Sequence, residues 1–198
     1  SARGRQLAFA LAEHTQVSAV RRAAQDMAVR FGFGETRAGE VALMVTEAAT
    51  NILKHAGRGE ILLRPLQSGE SAGIEIIAVD NGPGMRDLAS DMVDGTSSAG
   101  SYGVGLGAMR RMSSDFDVYT APGKGTVVHM RAWAGPAPAH GSLVFGVVCL
   151  PMAGETDCGD GWAVACEPTL AALMVADGLG HGPLAAAASI AATHALEA

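Results

Sequence analysis

Apolar positions near the start of the chain recur at Val17, Val20, Ala24, Met27, Ala28 and Phe31. Steps of three and four gather them on one stripe of a helix. Residues Gln6 to His14 ahead of it read as an opening strand, and Phe31 to Gly34 interrupts the helical period. A second, longer helix is expected from Glu35 to His55, with Val41, Val45, Ala48 and Ile52 as its seam and with Gly57 and Gly59 to stop it. Two apolar stretches follow, Glu60 to Leu66 and Gly73 to Val79. The second has the unbroken apolar character of a strand buried on both faces, and Pro65 places the first near an edge or an irregularity.

From Pro83 to Gly107 the residues turn to Gly, Ser, Asp and Met with no sustained period, the pattern of a mobile functional loop. A short helix at Gly107 to Ser113 follows, then strands at Asp117 to Thr120 and Thr126 to Trp133 around the turn Ala121 to Lys124. Residues 134–141, AGPAPAHG, lack the means to pack and read as a linker between a first domain, 1–133, and a second segment, 142–198. That segment carries β-like runs near Leu143 to Leu150, Gly161 to Glu167 and Leu170 to Ala176, then an Ala-rich helix from about Pro183.

Composition narrows the function classes. A formal charge of -6 without a Lys/Arg block argues against nucleic acid as a partner, because phosphate-backbone surfaces need clustered positive charge. No apolar run approaches the ~20 residues of a membrane span, so a soluble, cytoplasmic protein is expected. Cys149, Cys158 and Cys166 have no C-x-x-C spacing and read as reduced, mostly buried thiols. The six histidines show no metal-ligand spacing.

The candidate chemistry sits in four places. Glu47 and Asn51 are one turn apart on the long helix, with Glu40 and Lys54 on the same side, so one face presents carboxylate, amide and ammonium together. An amide oxygen suits Mg²⁺, a carboxylate one turn earlier suits a general base, and a lysine suits a phosphate oxygen. A solvated face of an amphipathic helix explains the same pattern. Asp80 ends the buried strand, and Gly82 and Gly84 follow it, so a carboxylate could meet an adenine amine where the backbone can approach a base; an ordinary Asp-Asn-Gly turn is the alternative. The run Gly103, Val104, Gly105, Leu106, Gly107 precedes a helix whose amides can face a phosphate. Its flanking Ser-rich loop rules out a dinucleotide fold, which needs a buried strand there. Thr126 opens the last strand with a hydroxyl suited to an adenine ring nitrogen, or simply starts a hairpin.

In this order, over roughly Ser1 to Trp133, these motifs resemble the GHKL (Bergerat-fold) ATPases, and among them the anti-sigma serine kinases of the RsbT and SpoIIAB type. The resemblance implies that Asn51 holds Mg²⁺, Glu47 is the base, Asp80 binds adenine beside Gly82 and Gly84, and Thr126 completes the adenine side. It assigns the phosphates to Gly103, Val104, Gly105, Leu106 and Gly107, with Lys54 nearby. It further implies ATP as phosphoryl donor, a nucleotide-ordered lid over Pro83 to Gly107, and a STAS-type or stressosome-like partner as acceptor. A sigma factor as partner and a homodimer also fit the resemblance. The histidine kinases of this class need an upstream dimerising helix pair, for which residues before 16 leave no room.

GETDCGDGWAV at Gly154 to Val164 and VADGLGHGP at Val175 to Pro183 resemble the opening of metal-dependent serine phosphatases of the SpoIIE and RsbX type. There Asp160, Asp177 and the carbonyl of Gly178 would hold Mg²⁺ or Mn²⁺, with Glu155 a neighbour; Asp-Gly pairs are also plain turn residues. The expected fold is therefore α+β: a Bergerat-type sandwich, a mixed sheet covered by helices, followed by an incomplete β-sandwich-type phosphatase segment. Ser1 in place of Met, and motifs that stop at Ala198, lead us to expect a trimmed kinase–phosphatase fusion. Two other functions stay open: a nucleotide-gated module that sequesters its target, and a phosphatase whose N-terminal domain regulates it.

Overall fold

The side chain of Gln16 sets where the first helix begins. Its Oε1 accepts from the backbone N–H of Ala12 at 2.6 Å and of Glu13 at 2.9 Å, so donors at the helix start are satisfied by a residue one turn inside. Strand β1 (Leu7–Leu11) therefore ends earlier than the apolar pattern implied, and helix α1 (His14–Arg30) takes over His14. Gly32, at φ +78°, turns the chain out of α1, and Phe33 donates its N–H back to Ala28 and buries its ring.

The computed structural model describes residues 6–88, 103–138, 145–152, 154–166 and 170–195, with backbone alone for 103–104. The chain divides into two compact units, Ala8–Pro65 with Ser71–Ala137, and Ser1–Leu7 and Leu66–Glu70 with Pro138–Ala198.

In the larger unit α2 (Glu35–His55) buries Val41, Val45, Ala48 and Ile52, the seam read from the sequence, and also Ala42, Met44 and Ala49. A wider stripe is needed because α2 packs against α1, against the sheet and against a third helix, α3 (Gly103–Met112). The sheet has the order β1-β2-β3-β5-β4, with β2 at Gly59–Ser68, β3 at Ser71–Asp80, β4 at Asp115–Ala121 and β5 at Gly125–Trp133. Both β3–β5 and β4–β5 are antiparallel. Strand β2 lies inside the sheet, so of the edge or irregularity that Pro65 pointed to, the edge does not hold. Strand β3 is buried through Gly73, Ile74, Glu75 and Ile76 in succession, so both of its faces are covered.

Alternation along β3 separates two surfaces. Asp80, Ala78, Ile76 and Ile74 share one face, and Glu75 lies on the other. There Glu75, 3% exposed, pairs with Arg64, 2% exposed, at 2.5 Å, and with His129 and Arg131 at 3.1 Å. Burial alone would raise the Glu75 carboxyl, but the His129 hydrogen bond and the Arg64 and Arg131 charges outweigh it and hold the carboxyl below its ordinary value.

In the smaller unit β6 (Asp160–Cys166) and β7 (Ala171–Asp177) form an antiparallel pair against α4 (Pro183–His194). The apolar run near Leu143 to Leu150 is not a strand over 145–150, and 143–144 lie outside the described residues. Hydrophobicity alone did not supply a ladder partner. Cys149 and Cys158 are half-buried with their sulfurs 3.2 Å apart, whereas Cys166 is exposed rather than buried. No helix among the described residues is long and apolar enough to cross a membrane.

Candidate functional site

The end of β3 is held in place by the β4–β5 hairpin. Asp80 and Thr126 are register partners across β3 and β5, and both are buried, at 7% and 3% exposed. Asp80 Oδ1 accepts the N–H of Gly82 at 2.8 Å. The hairpin then clamps the following turn: Gly123 N–H donates to the Pro83 carbonyl at 2.8 Å, and Met85 N–H to Thr120 Oγ1 at 2.9 Å. Thr120 Oγ1 lies 3.2 Å from Thr126 Oγ1.

The glycines here are set by close approach as well as by torsion. A Cβ on Gly82 would come within 2.7 Å of the Ala56 side chain and 2.9 Å of Asp80 Oδ1. Gly125, at φ +81°, lies so close to the Asp80 carbonyl that a Cβ would overlap it. A larger residue at either place would push into the Asp80 turn.

Helix α2 brings Asn51 to the same cleft from the other side, with Glu47 one turn earlier beside Gly105. A Cβ on Gly105 would lie 2.9 Å from Glu47 Oε2 and 3.1 Å from Asn51 Nδ2, so the glycine lets α3 approach both side chains. The run Gly103, Val104, Gly105, Leu106, Gly107 thus forms the first turns of α3 and does not precede a helix that starts at Gly107. The first four N–H groups of a helix, here those of residues 103–106, have no acceptor within it. Of the expected lid, 89–102 lie outside the described residues. Asn51 Nδ2 is buried without a hydrogen-bond partner among the described residues.

Between these walls lies a cleft lined by Asn51, Ile52, Asp80, Met85, Leu106, Met109 and Thr126, among others, with about 10 Å³ of free space.

Two members of the expected α2 face stand apart from this cleft. Glu40 is turned to Arg37, 2.6 Å away, and Lys54 is exposed in the last turn of α2. Sequence reasoning missed Thr120 and Arg37. The first had a signal, because a turn at Ala121 to Lys124 sets Thr120 opposite Thr126. Arg37 had none, since its acceptors include Met112 and Trp133, far along the chain.

In the smaller unit Asp160 and Asp177 face each other as register partners across β6 and β7, both exposed. Gly178 follows, buried, its N–H donating to the Gly159 carbonyl at 3.2 Å. Glu155 is bound instead to His181, 2.6 Å from its Nδ1. No group of three or more His, Cys, Asp or Glu among the described residues is placed to hold a metal ion. A cavity of about 270 Å³ lies in this unit, lined by Cys149, Cys158, Asp160, Trp162 and His194, among others. Burial and the neighbouring Cys158 push the Cys149 thiol up to about 12. The cavity is larger than the cleft beside Asn51 but gathers fewer groups suited to phosphate chemistry, so size alone does not mark the site.

The profile of the family described as Histidine kinase-like ATPase domain matches residues 10–132. The chain is 32% identical over 117 residues to the serine/threonine-protein kinase RsbT of Bacillus subtilis (strain 168), an alignment covering 59% of this chain and 88% of that protein. It also resembles a chain in the crystal structure of the SiaB–SiaC complex from Pseudomonas aeruginosa, with 14% identity, TM-score 0.43, and coverage of 64% of this chain and 89% of that one. The profile spans every element of the cleft from α2 to β5, and the chain belongs to the histidine kinase-like ATPase domain family.

Proposed function

We propose that this protein is an ATP-dependent serine/threonine kinase of a bacterial partner-switching system, with 1–133 as the kinase domain, acting on a small STAS-type antagonist in the cytoplasm. The observation that carries the reading is the convergence on one cleft of Asp80 and Thr126 from the sheet with Asn51 and Leu106 from the helices, and the approach of Gly105 at the start of α3 to Glu47 and Asn51. Similarity to a serine/threonine kinase at 32% identity supports it.

In this reading Asp80 accepts the adenine amine, and Thr126 supports the ring beside it. The N–H groups at the start of α3 meet the phosphates, where the helix dipole favours negative charge. Asn51 fits Mg²⁺, because its side-chain oxygen is a hard ligand, and the ion would offset charge on the phosphates. The acceptor hydroxyl attacks the γ-phosphorus, the bond from that phosphorus to the β–γ bridging oxygen breaks, ADP departs, and Glu47 takes the hydroxyl proton.

Transfer of label from γ-labelled ATP to a serine or threonine of a STAS-domain partner tests this, with Glu47→Gln as the inactive control. Tight Mg-ATP binding with no transfer to any such partner would favour instead a nucleotide-gated module that sequesters a sigma factor or regulator. For the smaller unit, the opposed Asp160 and Asp177 favour a second reading, the start of a metal-dependent serine phosphatase. Mn²⁺ titration of the parent against Asp177→Asn tests it, and equal weak binding by both would end it.

A further inference from the structure

Arg37, the third residue of α2, stands at the junction of four elements. Its Nη1 donates to Glu40 Oε2 and to the Met112 carbonyl, both at 2.6 Å. Its Nε donates to the Trp133 carbonyl at 3.2 Å, and its Nη2 to Ser114 Oγ at 3.2 Å. Met112 is the last residue of α3, Ser114 the residue before β4, and Trp133 the last residue of β5. One planar fork thus joins the start of α2, the end of α3 and two ends of the sheet, a task that suits five donors in fixed geometry. The Met112 carbonyl is among the four that a helix leaves without an internal partner, and the guanidinium charge sits at the negative end of the α3 dipole.

Helix α3 runs antiparallel to α2. Its third residue, Gly105, lies against Glu47 and Asn51, and at its other end Met112 meets Arg37 while Ser113 Oγ donates to Met44 Sδ at 3.2 Å. A ten-residue helix, about 15 Å long, is thereby fixed along α2 at both ends. At the Gly105 end the approach is close, since a single added carbon would press on the side-chain ends Glu47 Oε2 and Asn51 Nδ2. The axial position of the N–H groups of residues 103–106 relative to Asn51 is therefore set in part at the far end of the helix.

We infer that Arg37 is a positioning residue for phosphate recognition: it touches no nucleotide, but it fixes α3 so that the N–H groups at the start of that helix line up with Asn51. The inference rests on reading the cleft as a nucleotide site. Asp80 and Thr126 are carried by the sheet and the hairpin, so the adenine end depends on Arg37 far less than the phosphate end does.

This asymmetry gives the test. Dissociation constants for Mg-ATP and for adenosine are measured on the full chain by calorimetry and ligand-observed NMR, for the parent, Arg37→Ala, Arg37→Lys and Arg110→Ala. Arg110 is exposed on the same helix, and its loss removes a positive charge without touching the Arg37 contacts. The readout is the ratio of the adenosine constant to the Mg-ATP constant. In Arg37→Ala this ratio falls at least tenfold while adenosine affinity stays within about twofold of the parent. Arg37→Lys recovers part of it, and Arg110→Ala leaves it unchanged. If the two affinities fall together, or neither changes, Arg37 is a structural residue and the inference is overturned. If Arg37→Ala does not fold, Arg37→Lys and Arg37→Gln carry the same comparison. Should the parent bind neither ligand, the nucleotide reading itself fails, an outcome distinct from a parent that binds both and a variant whose ratio holds.

Discussion

Replacing Gly105 by alanine separates stability from ligand binding. The added Cβ would lie 2.9 Å from Glu47 Oε2 and 3.1 Å from Asn51 Nδ2, against the ~3.5–4.0 Å of relaxed heavy-atom contact. Both atoms end side chains, so they can swing away by about 0.5 Å or more without moving the backbone. Gly105 is helical and its φ is not positive, so alanine relieves a glycine penalty of up to ~1 kcal/mol. At roughly 2–4 °C per kcal/mol for a chain of this size, the melting temperature should stay level or rise by a few degrees. Mg-ATP affinity should fall, because the carboxylate and the amide no longer stand where α3 meets them. Losing one charge-assisted contact, about 1.5–3 kcal/mol, corresponds to a tenfold or larger rise in Kd. Scanning calorimetry without ligand and isothermal titration with Mg-ATP measure the two effects. Binding within twofold of the parent, or a melting temperature several degrees lower, would refute the reasoning and make Gly105 a requirement of the fold.

Glu75→Ala leaves Arg64 buried beside Arg131, and its urea midpoint should show a loss of about 3 kcal/mol or more, as broken buried pairs do. Because the folded Glu75 carboxyl titrates below its unfolded value near 4.3, its stabilisation is complete above that value and is lost as pH falls through the folded one. The acid limb of the parent's stability profile should therefore be steeper than that of Glu75→Gln, and identical slopes would count against the pairing. Gly125→Ala combines a positive φ with overlap of the Asp80 carbonyl and should destabilise by at least ~1–3 kcal/mol in the same urea assay. Glu47→Gln should keep the Mg-ATP-induced rise in melting temperature while phosphoryl transfer drops ~100-fold or more.

The helical spans were legible where a seam and its stops agreed. Over α2 the period through Val41, Val45, Ala48 and Ile52, closed by Gly57, points to the span that forms. The start of α3 was not legible, because Gly103, Gly105 and Gly107 oppose helix on propensity. There α3 approaches Glu47 and Asn51 closely, a tertiary contact that local propensity does not report. The same limit explains the apolar run near Leu143 to Leu150, whose hydrophobicity does not specify a ladder partner. In the site, the segments that carry Asp80, Thr126 and Asn51 were assigned nearly as they fold, and these three residues line one cleft, with Glu47 beside Gly105. Glu40 and Lys54 shared their helix face in the sequence pattern, but Glu40 is drawn to Arg37, a partner whose own links run to residues 112 and 133.

The claim that this cleft takes ATP is tested most directly by thermal unfolding of the full chain with and without Mg-ATP, for the parent and for Asp80→Asn. Asparagine keeps an oxygen for the Gly82 N–H and so should preserve the turn while losing the carboxylate. At 100 times its Kd the ligand should stabilise the parent by about 2.7 kcal/mol, a shift of roughly 5–10 °C, and the shift should vanish in Asp80→Asn. No shift in a folded parent, or an equal shift in both proteins, would contradict the account.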